Sequence, residues 1–297
     1  MTQLTPEVLP GGDSQEQRPT LDDVTQQCYD RLRDIVRGLG SVLVAYSGGV
    51  DSAVLLRVAV DELGDRAVGV IATSPAYDDG ETTAALELAK TMGARVVTVA
   101  TQELDDPRYA ANGADRCYFC KSELFDHLEP LAQTLGLDHI VYGMSRDDRG
   151  DWRPGQRAAR ERGVRAPLEE AGMGKTEIRT LARFLGMPVW DKPAQACYSS
   201  RIPYGSPVTA EALAKIGRAE RGLRALGFRQ VRVRHHDTVA RLELDPSEFS
   251  RILSEDVRHA VIEVVRKAGY AYVALDLQGY RTGALNEVLL RENRAER

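Results

Sequence analysis

The stretch Val42-Leu43-Val44-Ala45-Tyr46-Ser47-Gly48-Gly49-Val50-Asp51-Ser52 decides the fold. An apolar strand runs straight into Ser-Gly-Gly-Val-Asp-Ser, and a helical pattern starts at once with Ala53-Val54-Leu55-Leu56. Two adjacent glycines let the backbone turn tightly and come close to a ligand. The amides that open the helix face whatever anion sits there, and the helix dipole favours negative charge. Ser47 and Ser52 add hydroxyl donors. Asp51 alone would repel phosphate, so it makes sense with Mg²⁺ between its carboxylate and phosphate oxygens. No Lys follows the glycines, which sets the loop apart from the Walker pattern. Ser47, Gly48, Gly49, Val50, Asp51 and Ser52 are therefore candidate phosphate-binding residues, with Asp51 the candidate Mg²⁺ ligand.

Working outward, strands fit 67–73, 95–101 and 139–144, separated by helical patterns over 81–92 and 121–135. This alternation predicts an α/β fold with a doubly wound parallel sheet. Ligands of such sheets sit at the carboxyl ends of the strands, where 47–52 lies. A further helix fits 175–185 and a short strand 187–190. The run 192–205, rich in Pro, Gly and small residues, reads as an ordered loop or domain joint. Beyond it the arrangement changes. Thr209 fits the N-cap of a helix running to about 226. Strands over 230–234 and 239–244, a helix over 246–267 and a strand over 271–275 complete an αββαβ unit. The expected organisation is a polar lead-in over 1–20, a nucleotide-binding domain over 21–205, a smaller C-terminal α+β domain over 206–290, and a frayed tail over 291–297.

The chain has 297 residues, 43% hydrophobic and 28% charged, which is ordinary for a globular protein. No apolar run approaches the length of a membrane span, and the N-terminus carries no apolar signal core, so the expected location is the cytoplasm. The net charge of -5 gives no global basic field for nucleic acid. Of 39 basic residues only six are Lys. The Arg excess resembles the coding bias of a GC-rich genome and weakens arguments from Arg clusters alone.

Four cysteines are too few for a disulfide scaffold of this size. Cys117-Tyr118-Phe119-Cys120 leads into a helix, and a helix N-terminus lowers thiol pKa. One CxxC cannot complete a four-cysteine zinc site. The nearest third thiol in role is Cys197, in the ordered joint. Three thiolates with one open position suit a [4Fe–4S] cluster that leaves one iron free. Cys28, in a predicted N-terminal helix, reads as an incidental thiol.

The loop 47–52 resembles the PP-loop of ATP pyrophosphatases. Arg116-Cys117-Tyr118-Phe119-Cys120-Lys121, then Asp147-Asp148, Asp151 and Arg153-Pro154-Gly155, then Trp190-Asp191-Lys192-Pro193, then Ala196-Cys197-Tyr198-Ser199-Ser200-Arg201-Ile202-Pro203-Tyr204-Gly205 follow it in order. Together these resemble the LarE family, ATP-dependent sulfur transferases that build the nickel-pincer nucleotide cofactor. The resemblance implies a PP-loop, adenine nucleotide alpha-hydrolase-like fold and adenylylation of a carboxylate of pyridinium-3,5-dicarboxylate mononucleotide, followed by sulfur capture. It implies ATP and Mg²⁺, catalytic roles for Cys197, Cys117 and Cys120, and a homo-oligomer, a hexamer in the family. In the sacrificial version Cys197 gives up its own sulfur. In the three-cysteine branch, which this chain matches, Cys117, Cys120 and Cys197 hold a [4Fe–4S] cluster that carries the sulfide, and the sequence favours that route.

Other candidates follow from position. Arg232 and Arg234 share one face of a strand by period two and suit a substrate phosphate. Glu243 shares a face with Asp245 and could bind a cation or ribose. Ser200 and Arg201 flank Cys197 and could orient substrate. Ser74 follows the second strand, where family members contact adenine. Lys175 resembles a position near the phosphates, but Gly174-Lys175-Thr176 starts a helix and reads as a solvated first turn. His235 and His236 face opposite ways on a strand and do not make a metal pair. The competing readings are a PP-loop tRNA thiolase, which would need an RNA-binding surface, and an NAD- or GMP-synthetase-like amidotransferase, which would use ammonia and need no thiols. A non-enzymatic ATP-binding iron–sulfur sensor would release no pyrophosphate.

Overall fold

The structure is a computed structural model that describes residues 20–149, 154–281 and 283–287. The lead-in before Thr20, Asp151, Arg153 and the tail over 291–297 lie outside the described residues. Asp22 accepts a hydrogen bond from the Thr25 amide and so caps α1 (Asp23–Leu39), whose buried Cys28, Leu32, Val36 and Leu39 form one apolar stripe. There follow β1 (Val42–Ala45), α2 (Val50–Leu63), β2 (Ala67–Thr73), α3 (Asp79–Thr91), β3 (Arg95–Ala100), the one-turn α4 (Pro107–Ala110), α5 (Arg116–Leu135) and β4 (His139–Tyr142). Then come α6 (Pro154–Glu161), α7 (Pro167–Glu170) and α8 (Lys175–Phe184).

The four strands form one parallel sheet in the order β3-β2-β1-β4. Strand order reverses between β1 and β4, so the crevice beyond their carboxyl ends is the switch point where doubly wound sheets bind ligands. One cluster, including Val44, Val54, Leu55 and Ile71, packs α1, α2, α3 and α8 on one face. A second, including Leu43, Val68, Phe125 and Leu128, packs α5 and α6 on the other. The α/β class and the winding agree with the sequence reading.

The C-terminal unit contains α9 (Ala210–Ala225), β5 (Val231–His236), β6 (Val239–Leu244), α10 (Phe249–Leu253), α11 (Glu255–Lys267) and β7 (Tyr272–Leu275). β6 pairs antiparallel with β5 and parallel with β7, which gives the expected αββαβ order. Two elements differ from expectation. The helix anticipated over 246–267 breaks at Ser254, whose extended backbone (ψ 145°) precedes the acidic first turn of α11. The strand anticipated over 187–190 is a pair of turns instead. Arg179 of α8 donates to the carbonyls of Trp190 and Lys192, at 2.7 and 2.8 Å, and takes up groups a strand would have offered to a ladder. Among the described residues no helix is long and apolar enough to cross a membrane.

Candidate active site

The loop after β1 is shaped by close approach. Gly48 has φ 71°, and a Cβ there would fall 2.5 Å from the Ala85 Cβ of α3. A Cβ on Gly143, just past β4, would fall 2.7 Å from the Ser52 amide nitrogen. Both positions therefore need glycine for the loop to fit between its neighbours. Gly49 N-caps α2 without any side-chain capping bond. Ser52 knits the turn together: its Oγ accepts from the Ser47 amide at 3.1 Å, lies 3.1 Å from Ser47 Oγ, and donates to the Gly49 carbonyl.

Asp51 stands at the head of α2. Lys175 Nζ donates to its Oδ2 at 2.6 Å and lies 3.5 Å from Asp148 Oδ2. Asp51 Oδ1 is buried and has no hydrogen-bond partner among the described residues. The expectation of a solvated first turn at Lys175 is thus corrected. Its amide is anchored by Asp147 Oδ2 at 2.6 Å, and its ammonium points into the loop. Val50 and Ser74 sit outside the open space. Ser74 closes a turn, donating to Glu103 at 2.5 Å and accepting from the Ala76 amide.

Two connected clefts open at this loop. One is lined by Ser47, Gly49, Asp51, Ser52, Lys121, Tyr142 and Gly143, at the switch point. The larger is lined by the same Ser47 and Gly49 together with Tyr77, Asp78, Glu81, Lys121, Cys197, Tyr198, Arg201 and Arg224. Lys192 also lines it, with Nζ 3.3 Å from the Gly48 carbonyl and 2.5 Å from Glu81. Lys121 and Lys192 carry no sequence signal of their own. They are visible only as members of the runs around Cys120 and Pro193.

Cys197 bears electrostatically on both Cys117 and Cys120. Cys117 and Cys120 lie one turn apart at the start of α5, which begins at Arg116 and not at Lys121 as the pattern suggested. Cys120 and Cys197 share an apolar cluster with Tyr109, Phe119 and Tyr198. Burial pushes the Cys120 thiol up to about 12, and the negative potential of Cys197 adds to the shift. Cys117 is exposed at the surface, so its own shift, upward as well, carries less weight than that of Cys120. The helix N-terminus was expected to favour thiolate; desolvation outweighs it. Tyr77 Oη lies 3.8 Å from Cys120 Sγ. Cys28 is buried beneath α1, away from this group.

The segment carrying Cys197 is clamped from both sides. The Tyr198 amide donates to the Ala76 carbonyl at 2.8 Å, and its hydroxyl donates to Asp78, which also accepts from Arg224 at 3.2 Å. Burial alone would raise the Asp78 carboxyl; the Tyr198 hydroxyl, the Gly80 amide and Arg224 hold it below the usual range. Arg201, 1% exposed, donates to Glu220 through Nε and Nη2 and to the carbonyls of Ala196 and Cys197 through Nη1. Ser200 Oγ donates to the Cys197 carbonyl at 2.8 Å. Arg232 donates to the Ala194 carbonyl and Arg234 to the Ser200 carbonyl. Glu243, also buried, accepts from Arg234 at 2.7 Å. Of the five residues expected at the substrate, Arg201 alone lines the cleft; the other four brace the loop behind it. Arg234 Nε is buried without a hydrogen-bond partner among the described residues.

Glu220 is the hub of this clamp. Burial would raise its carboxyl, but Arg201 outweighs burial and holds it below its ordinary 4.5. The stability it contributes is therefore full above that pH and is lost as pH falls through the lower folded value. Glu220→Gln leaves Arg201 buried with its partner neutral, and denaturant unfolding should show a loss of about 3–5 kcal/mol. A loss under about 1 kcal/mol, the scale of an exposed pair, would contradict the clamp.

Known proteins share these features. The NAD synthase family model matches residues 24–112, the part of the chain that carries the loop. The chain is 27% identical over 241 residues to the uncharacterised protein MJ0830 of Methanocaldococcus jannaschii, 81% of this chain and 91% of that one. It is 45% identical over 262 residues to the uncharacterised protein slr1717 of Synechocystis sp., 88% of this chain and 98% of that one. It is 38% identical over 261 residues to pyridinium-3,5-bisthiocarboxylic acid mononucleotide synthase of Lactiplantibacillus plantarum, 88% of this chain and 92% of the relative. The nucleotide loop and the cysteine-bearing joint both fall in one continuous likeness to that synthase, and the chain belongs to its family, the LarE family.

Proposed function

We propose that this chain uses ATP to activate a carboxylate of pyridinium-3,5-dicarboxylate mononucleotide and replaces one of its oxygens with sulfur, on the way to the nickel-pincer nucleotide. The observation that carries the reading is that Cys197 lines the same cleft as Ser47 and Gly49. A carboxylate is a poor electrophile because its leaving group would be oxide. When a carboxylate oxygen attacks the α-phosphorus of ATP, pyrophosphate departs and the acyl carbon carries AMP, a good leaving group for an attacking sulfur. We assign the triphosphate to Ser47, Gly48, Gly49, Val50 and Ser52, and adenine to the neighbourhood of Ser74. Lys121, Lys175 and Lys192 add positive charge along the path.

The unpartnered Asp51 Oδ1 fits a Mg²⁺ ligand, and Mg²⁺ there would neutralise the departing pyrophosphate. Cys117, Cys120 and Cys197 are soft thiol donors, a chemistry that suits an iron–sulfur cluster. No three of the described His, Cys, Asp or Glu side chains are gathered tightly enough for a single bare metal ion. Cys117, Cys120 and Cys197 would hold a [4Fe–4S] cluster, which supplies inorganic sulfur and spares the cysteines. The sacrificial route also balances. Cys197 Sγ displaces AMP to give a thioester, a base takes the Cα proton, and the Cβ–S bond breaks to leave dehydroalanine and the thiocarboxylate. Cys117 and Cys120 have no task in that route, which favours the cluster. Ser200, Arg201, Arg232, Arg234 and Glu243 are assigned to the substrate's phosphate end, where the free Arg234 Nε supplies a buried donor for an anion oxygen. The reaction needs neither a membrane nor nucleic acid, and we place it in the cytoplasm in a homo-oligomer.

The test is pyrophosphate and thiocarboxylate release by anaerobically purified protein with ATP, with and without the dicarboxylate nucleotide. Both products are expected only when ATP and nucleotide are present together. Pyrophosphate release that ignores the nucleotide, or demands tRNA or ammonia in its place, overturns the reading.

A further inference from the structure

The segment that carries Cys197 is seated at both ends on the start of α3. At one end Lys192 Nζ donates to Glu81 at 2.5 Å and to the Gly48 carbonyl at 3.3 Å. At the other, the Tyr198 hydroxyl donates to Asp78, the N-cap of α3, and the Tyr198 amide donates to the Ala76 carbonyl at 2.8 Å. The same helix presses on the glycine turn. Tyr46 Oη donates to the Ala85 carbonyl at 3.0 Å, and Gly48 fits against Ala85 only because it lacks a Cβ. The two anchors differ in what they reach. Among the described residues, the Lys192 ammonium makes the one hydrogen bond between 192–201 and 47–52. Its backbone is fixed: the amide donates to the Val189 carbonyl at 3.1 Å, and the carbonyl accepts from Arg179 at 2.8 Å. An ammonium has three N–H donors. Glu81 and Gly48 take two, and the third has no acceptor among the described residues. It faces a cleft that Lys192, Gly49 and Cys197 all line.

We propose that Lys192 is the positioning residue that ties the placement of Cys197 to the filling of the glycine turn. A phosphate oxygen held in the turn takes the third N–H without displacing Glu81 or Gly48, and the bond is charge-assisted. It strengthens the anchor at the head of the segment, so Cys197 is held between that anchor and Tyr198. The segment then opens less often when nucleotide is bound, and sulfur meets the acyl adenylate before water does. This inference rests on the sulfur-transfer reading for its purpose, but the tie it describes is measured without turnover.

The experiment is amide hydrogen exchange of the anaerobically purified full-length chain, with and without α,β-methylene-ATP and Mg²⁺. The analogue cannot release pyrophosphate, so the turn stays filled. The amides to follow are those of residues 192 and 198, both hydrogen-bonded and both exchanging through local opening of the segment. In the wild type the analogue should slow them about tenfold, the scale of one hydrogen bond to a charged group. In Lys192→Met that slowing should vanish, at analogue concentrations that protect 47–56 as fully as in the wild type. Lys192→Arg should restore part of it. Turnover gives a second reading, the thiocarboxylate formed per AMP released. In Lys192→Met this ratio should fall at least about tenfold, since a misplacement of about 1 Å costs up to about 10²-fold. The adenylate is then lost to water, which returns the carboxylate and AMP. A merely destabilised protein would lose both products together and keep the ratio. Equal slowing in the wild type and Lys192→Met overturns the proposal, as does no slowing in a wild type whose 47–56 is protected, or an unchanged ratio. No protection of 47–56 at any concentration takes the nucleotide out of the turn and overturns it too. Slowing that depends on Lys192 in a chain whose pyrophosphate release ignores the dicarboxylate nucleotide sinks the sulfur-transfer reading and leaves the tie standing.

Discussion

Cys197→Ser is expected to lower thiocarboxylate formation by at least about 10³-fold, the scale on which losing a reacting side chain acts, while nucleotide-dependent exchange of pyrophosphate into ATP continues. The split follows from where the residue sits. It lines the cleft and has no part in the glycine turn to which we assign the triphosphate. The segment is held through main-chain atoms, with the Cys197 carbonyl accepting from Arg201 and Ser200, so serine leaves the clamp in place. Both sulfur routes share this outcome. Cys117→Ser and Cys120→Ser separate them: the cluster route loses multiple turnover in each variant, whereas the sacrificial route keeps one equivalent of product per chain.

Asp51→Asn should reduce both pyrophosphate exchange and product by about 10²-fold or more, the effect of removing one group that stabilises transition-state charge, and should raise the Mg²⁺ concentration needed. The variant removes a carboxylate whose Oδ1 has no partner among the described residues and whose Oδ2 binds Lys175 at 2.6 Å. An amide cannot replace it, because its NH₂ would face either the metal or the ammonium. The unfolding midpoint should change little, since the side chain is 23% exposed at a helix start. A variant that exchanges pyrophosphate at the wild-type rate and Mg²⁺ requirement would remove Asp51 from the metal site.

The loop was legible because local rules write it: an apolar strand, two glycines and an immediate helix leave few other structures for 42–56. The family was legible through the order and spacing of the runs around Cys117 and Cys197. Contacts made by the tertiary fold were not. Lys175 reaches Asp51 across 124 positions of chain, and no local pattern distinguishes it from a solvated first-turn lysine. The second bonds of the arginines were hidden for a related reason. Arg201, Arg232 and Arg234 read as substrate ligands from their types and spacing, and in the fold they also bond to carbonyls of the Cys197 segment, a burial that sequence does not report in an Arg-rich chain. The turns over 187–190 replaced a strand because a guanidinium from α8 took the carbonyls, a competition that β-propensity does not register.

The central claim is that a substrate carboxylate is adenylylated at the glycine turn and then captured by sulfur beside Cys197. The most direct test is a turnover with substrate labelled by ¹⁸O in the carboxylates, read by the mass of the AMP released. The account predicts one ¹⁸O in AMP for every sulfur inserted, because the oxygen that attacked the α-phosphorus leaves with it. Thiocarboxylate formed alongside unlabelled AMP would contradict it.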